Sequence, residues 1–352
     1  MSSYYNSQIG IWYFSWWGQD NPETALHWQR EAGAVSARFG EYSAGDPEVY
    51  TKQLDWMQSA GIDFIIFEIT NGWEADSGVI KRNMDAIVSE IDRRGPGCAP
   101  RYAFALGGEL RYGYIREHEK LVLHLYEEYG TREMYFKWEG KPLLVTFTDP
   151  DYFYWTSRLF TVRNSTGVVS QWADDPSIQG KGLWGFTFNA QVENSEVYGI
   201  TPCHDANHLW IATPNTHKWD FDRGDHGERY IRGWLEAIKQ NRPVIIITSY
   251  NDFSEETAIE AFTPRRNNEG YVTAPLLDYY GNETPTWYED ITLAYTALKE
   301  GLLEGYQYRY ENDARIFVYE QERCRFIEEP LPGKAVILLP EDYPIEDWRF
   351  FS

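Results

Sequence analysis

Cysteine is scarce: Cys98, Cys203 and Cys324 are odd in number and widely scattered. Such a set carries neither a disulfide framework nor a metal-ligand spacing. Basic residues are also few, 32 Lys and Arg against 54 Asp and Glu, for a net charge of −22. That deficit excludes nucleic acid and anionic membrane surfaces as partners, because both are bound through basic patches. A neutral or cationic ligand is left. The sequence lacks any run of about 18 apolar residues, so no membrane insertion is expected. The opening MSSYYNSQIG has no basic n-region and no apolar h-region. No signal peptide is therefore expected in the chain as given. Internal repeats and low-complexity segments are missing too.

Aromatic side chains are abundant. The 15 Trp, 26 Tyr and 18 Phe make up 17% of 352 residues. Flat amphipathic rings are costly to expose without a use, so part of this set is expected to line a surface that stacks on a ligand. Sugars fit that description: their C–H faces pack on indole while their hydroxyls seek carboxylates and amides.

One stretch organises the chain, VIIITSYNDFSEETAIE from Val244 to Glu260. It opens as a continuous apolar run, the pattern of a strand buried on both faces. It then turns polar, with Asp252, Glu255, Glu256 and Glu260 inside nine residues. A buried strand emptying into an acidic turn places carboxylates at the C-terminal edge of a parallel sheet, where α/β proteins bind ligands.

The rest of the chain alternates strand and helix signals. Ile9 to Trp17 reads as a first strand with Trp16 and Trp17 at its exit. Asp46-Pro47-Glu48 is a helix start, with Asp as N-cap and Pro at the first helical position. That helix ends at Gly61 and leads to a strand over Ile62 to Ile69, with Glu68 before the exit and Trp73 beyond. Helical spacing from Ile80 to Ile91 precedes a strand at Arg101 to Leu106, followed by Glu109; a helix over Ile115 to Tyr129 precedes a strand at Leu143 to Thr148, followed by Asp149. Shorter strands are expected at Leu159–Arg163, Leu183–Phe188 and Val197–Thr201, the last leading to His204 and Asp205. Helices are expected at Tyr230–Gln240 and Trp287–Leu303. Eight strands with intervening helices are the pattern of a (β/α)8 TIM barrel. The expected division is a catalytic barrel over 1–310 and a small C-terminal β appendage over 311–352, carrying short alternating runs at Arg315–Tyr319, Arg325–Glu328 and Ala335–Leu339.

The strand exits gather acids and rings, an arrangement suited to glycoside hydrolysis, which usually needs two carboxyl groups flanking the scissile bond. Asp252 and Glu255 are the expected pair. On a helical turn their Cβ atoms would lie about 5–6 Å apart; in an extended loop the separation could reach ~10 Å. Retention and inversion both remain open. Trp16, Trp17 and Trp73 are expected stacking platforms, and Glu68, Glu109, His204, Asp205, Tyr250 and Asn251 expected hydroxyl ligands. Glu256 and Glu260, spaced i to i+4, read as one side of a solvated helix. Trp28, Trp56 and Trp138 read as packing. No metal or organic cofactor is implied.

Tyr250-Asn251-Asp252-Phe253-Ser254-Glu255, continuing to Ile259-Glu260, resembles the aromatic–Asn–acid–aromatic–x–Glu motif of glycoside hydrolase family 99, the endo-α-mannosidases. It is equally similar to the Trp-Asn-Asp-Tyr-Gly-Glu motif of family 71, the α-1,3-glucanases. Gly40-Glu41-Tyr42-Ser43, Asp46-Pro47, Ala60 to Phe64 and the strand ending at Trp16-Trp17 also resemble family 99. The resemblance implies that Asp252 is the first catalytic carboxylate and Glu255 the second, the general acid. In family 99 the first is a glutamate, proposed to act as base on the sugar's own 2-hydroxyl. Aspartate at that position resembles family 71 instead, and Ser254 and Glu256 replace the glycines and histidines of both motifs. The implied activity is hydrolysis of an α-linked mannan, glucan or bacterial exopolysaccharide. A glycan-processing partner of polysaccharide biosynthesis and a non-catalytic glycan-binding barrel are the alternatives.

Overall fold

The computed structural model describes residues 4–18, 27–28, 35–69, 72, 75–107, 115–146, 156–164, 184, 196–205, 223–265, 273–345 and 350–351. Seven strands form one parallel sheet: β1 (Gln8–Phe14), β3 (Phe64–Ile69), β4 (Arg101–Leu106), β6 (Lys141–Thr146), β7 (Thr161–Asn164), β8 (Val197–Ile200) and β9 (Val244–Ile247). Their order is β7-β6-β4-β3-β1-β9-β8. The first strand therefore pairs with both the second and the last of the series, Ile11 standing opposite Ile65 on one side and Ile247 on the other. A sheet ordered this way curls toward itself. A two-residue strand β5 (Lys137–Trp138) adds an antiparallel hairpin to β6. Every residue of FIIFEI in β3 and of VIII in β9 is buried, as strands covered on both faces require.

Five α-helices lie among the described residues: α1 (Pro47–Ser59), α2 (Ala75–Arg94), α3 (Ile115–Leu125), α4 (Glu228–Gln240) and α5 (Trp287–Ala297). Helix α1 starts where its sequence says it should. Asp46 has an extended backbone and accepts the Glu48 N–H at 2.9 Å, satisfying one of the orphan donors of the first turn. Its inner face buries Val49, Leu54 and Met57, and also the polar Gln53. Of the eight expected strands, Leu183–Phe188 lies outside the described residues except for Trp184. That indole is buried and donates to Glu196 Oε2 at 2.8 Å. Arg163 on β7 donates to the same carboxylate at 2.7 and 2.8 Å, tying the outer strand β7 to the residue that precedes β8.

Several short strands escaped the sequence reading because each is too short to show periodicity. β2 (Val35–Ala37) pairs antiparallel with β10 (Phe262–Pro264), holding the Gly40–Ser43 segment against the loop that leaves β9. β11 (Gln307–Tyr310) already belongs to a five-stranded sheet with β12 (Ile316–Glu320), β13 (Arg323–Ile327), β14 (Val336–Leu339) and β15 (Phe350–Phe351). This sheet docks on the helices through Tyr295 of α5, stacked on Trp234 at 5.5 Å, whose hydroxyl accepts the Leu338 N–H and lies 3.0 Å from Ile231 O. Among the described residues no helix is long and apolar enough to cross a membrane.

Candidate active site

The chain leaves β9 through a cis Thr248–Ser249 peptide and folds back on itself. Ser249 N–H donates to Thr257 O, Ile259 N–H to Ser249 O and Glu260 N–H to Tyr250 O, at 2.8–3.0 Å. The loop is thus closed like a hairpin, with residues 252–256 at its tip. The expected helix after the motif does not form, and the i to i+4 reading of Glu256 and Glu260 falls with it. Glu256 adopts φ +54° and accepts from Arg223 and Thr273, both at 3.0 Å. Glu260 is fully buried and accepts the Tyr42 hydroxyl at 2.8 Å and Gln53 Nε2 at 3.3 Å. The self-bonded loop outcompetes a helix because its backbone donors find partners across the hairpin.

Asp252 sits at the start of the tip, 1% exposed. Its Oδ1 accepts Ser254 N–H at 3.0 Å, Glu255 N–H at 3.2 Å and the Ser254 hydroxyl, an Asx-type turn that fixes the carboxyl. Burial, followed by the nearby charge of Glu255, raises its pKa to about 7 against the pull of Ser254. Glu255 is 28% exposed, and its Oε2 lies 3.4 Å from Nε2 of buried His204. Asp205 N–H donates to Glu255 O at 3.0 Å, and the Cys203 thiol to Glu256 O at 2.7 Å. The loop after β8 is therefore sewn along the acidic tip. The structure brings Asp252, Glu255, His204 and Asp205 together at the C-terminal end of the sheet.

The other expected ligands divide. Glu68, on the last turn of β3, is 4% exposed and stands opposite Phe14 in the ladder, at the same sheet end. Trp16 is half-buried, stacked on His27 with centroids 5.7 Å apart. Trp17 is a correction: it is fully buried against Trp28 at 4.4 Å and donates its indole N–H to Asn251 O at 2.9 Å, so it is core and offers no stacking face. Tyr250 is likewise core, between Tyr13 at 5.9 Å and Trp56 at 5.5 Å. Asn251 is fully buried, its Oδ1 accepting Phe14 N–H at 2.8 Å and its Nδ2 donating to Phe14 O and to the Tyr42 hydroxyl. Its amide staples the loop to β1, and its complete burial keeps it from a sugar. Trp73, Glu109 and Asp149 lie outside the described residues.

Sequence reasoning missed the polar network beneath the loop. Asn251, Tyr42, Glu260, Gln53 and Tyr13 form one hydrogen-bonded chain, closed by Tyr13 donating to Gln53 Oε1 at 2.6 Å. Its one legible signal was Gln53, a polar residue on the inner face of an amphipathic helix. Burial raises the pKa of Glu260 from 4.5 to about 8, opposed by Tyr42 and reinforced by Glu289. The folded state holds this proton more tightly than the unfolded state. Glu260 therefore stabilises the fold fully below about pH 4.5, and that contribution is lost as pH rises to about 8. The shift corresponds to ~4–5 kcal/mol. Glu260→Gln is expected to melt progressively higher than wild type between pH 5 and 8. A melting difference that stays flat over that range would refute this assignment.

Among the described residues no three His, Cys, Asp or Glu side chains converge as metal ligands. No protein-family model and no curated protein matches the chain. Solved structures do. The family 99 endo-α-mannosidase of Bacteroides thetaiotaomicron, in complex with bis-Tris-propane, superimposes with TM-score 0.63 at 16% identity over 83% of this chain and 97% of that one. A second structure of that enzyme gives 0.62 at 17% identity over the same shares. In its fold this chain is similar to the family 99 glycoside hydrolases. At this identity the likeness is one of fold.

Proposed function

We propose that this protein is a glycoside hydrolase acting on an α-linked polysaccharide or oligosaccharide, an α-mannan, an α-glucan or a bacterial exopolysaccharide. Glu255 serves as general acid toward the leaving oxygen. Asp252 serves as base, working on water or on the sugar's 2-hydroxyl. The observation that carries this reading is the pair itself. Two carboxyl groups three residues apart sit on a self-bonded loop at the functional edge of a parallel sheet, one buried with a raised pKa and one half-exposed. Burial favours the protonated form of Asp252 in the resting site. A sugar hydroxyl donating to Asp252 would stabilise its ionised form. Trp16 supplies a stacking face, and Glu68, His204 and Asp205 hold hydroxyls, with Trp73 and Glu109 assigned the same roles. Closure of the curled sheet into a (β/α)8 barrel belongs to this reading, supported by the Arg163–Glu196 and Trp184–Glu196 contacts that link β7 to the start of β8. Residues 311–352, extended by β11, make up the small β appendage packed on that barrel.

As a base Asp252 acts in its ionised form, and its raised pKa of about 7 sets the acid limb: kcat/KM is expected to rise about tenfold per pH unit up to ~7. A rate already flat between pH 5 and 7 would contradict the assignment. The direct test is release of reducing ends from α-mannans, α-glucans and bacterial exopolysaccharides, with proton NMR of the first product fixing the anomer. A second reading has one observation in its favour: Asp252 Oδ1 is already engaged by the donors of its own turn, as in an acid kept for structure. Oligosaccharide binding without any new reducing ends would select that reading, a glycan-binding protein without catalysis.

A further inference from the structure

Away from the acidic loop, a cavity of about 310 Å³ opens between α4 and the C-terminal sheet. That volume is at the small end of ligand pockets and suits one ring rather than a chain. Ile231 of α4 and Ile316, Val336 and Leu338 of the sheet give it an apolar lining. Tyr279 forms part of its wall, a half-buried ring packed on Trp287 and His226 with its hydroxyl accepting Val336 N–H at 3.2 Å. Arg309 on β11 also lines it. This guanidinium is half-buried and, among the described residues, has no carboxylate at ion-pair distance, whereas neighbouring Arg232 is held by Glu228 at 2.6 Å.

We propose that this cavity is a second, non-catalytic site that binds a single carboxylate-bearing sugar unit, a hexuronate, with Arg309 as its anchor. A half-buried guanidinium without a counter-charge is costly, and its planar fork matches a carboxylate in two parallel hydrogen bonds. The pyranose C–H face packs on the apolar lining and the Tyr279 ring, while Asp225 and Glu228 of the same cavity accept hydroxyls. The overall charge of −22 disfavours a polyanion lying along the surface. It acts weakly on one carboxylate in contact with Arg309, because charges beyond ~8 Å are screened at physiological salt. The site does not depend on the catalytic reading.

The test is saturation-transfer NMR and calorimetric titration of the full chain with methyl glucuronide and methyl glucoside. Wild type is expected to bind the glucuronide saturably and at least about tenfold more tightly than the glucoside. Arg309→Met should weaken that binding at least tenfold. Ala314→Trp, placed at an exposed residue of the cavity, should block it without touching the core, and decides the matter if the first variant folds poorly. Glu255→Gln should bind as wild type does, so loss of catalysis and loss of this site read out separately. Absence of glucuronide binding, equal affinity for the glucoside, or binding that survives in Arg309→Met and Ala314→Trp alike would each overturn the proposal.

Discussion

Glu255→Gln is expected to reduce release of reducing ends by about a thousandfold or more, with thermal stability essentially unchanged. General acid catalysis contributes on the order of 10²–10⁴ in rate, and the amide keeps the size of the carboxyl while losing its proton. The fold should tolerate the change, because the side chain is 28% exposed and lies 3.4 Å from His204 Nε2. An amide can still hydrogen-bond there. A substrate with a strongly activated leaving group supplies the finer check. It needs little protonation, so its loss should be much smaller in Glu255→Gln, whereas Asp252→Asn should remain impaired on both substrates. Equal impairment of Glu255→Gln on the two would remove Glu255 from the acid's role, and unchanged turnover would remove the assignment altogether.

Asn251→Ala is expected to cost about 2–3 kcal/mol in denaturant unfolding. It would take the acceptor from the buried Phe14 N–H and one donor each from Phe14 O and from the Tyr42 hydroxyl, which keeps its bond to Glu260, and a buried polar group left unsatisfied costs roughly 1–3 kcal/mol. Activity should fall as well, since Asn251 staples the residue before Asp252 to β1. The outcome separates two roles. A side chain that held a substrate hydroxyl would raise KM on removal and leave stability alone; the structural staple predicts the reverse emphasis. Wild-type stability in Asn251→Ala would refute the staple.

Much of the scaffold was legible because its signals are local. The Asp46-Pro47-Glu48 cap fixes where α1 begins, through one side chain and its own first turn. The apolar runs of β3 and β9 announce strands covered on both faces, and they are buried throughout. The strands β2, β10 and β11 were not legible, since such three- or four-residue strands are specified by a partner distant in the chain.

The acidic loop shows the same division inside one stretch. Its place at the exit of a buried strand follows from the sequence, because hydrophobic periodicity is a property of neighbours along the chain. The fates of its individual side chains do not. Trp17, Tyr250 and Asn251 carry groups that serve equally well for sugars or for packing, and only the folded environment assigned them to the core. Glu256 and Glu260 share an i to i+4 spacing that suggests a solvated helix. The hairpin-like closure instead sent one to Arg223 and buried the other under Tyr42. Sequence by itself determined the succession of the main strands along the chain and a pair of carboxylates following a buried strand. Tertiary structure alone decided which polar groups are buried and which partners they take, because burial and hydrogen-bond satisfaction depend on segments some two hundred residues apart.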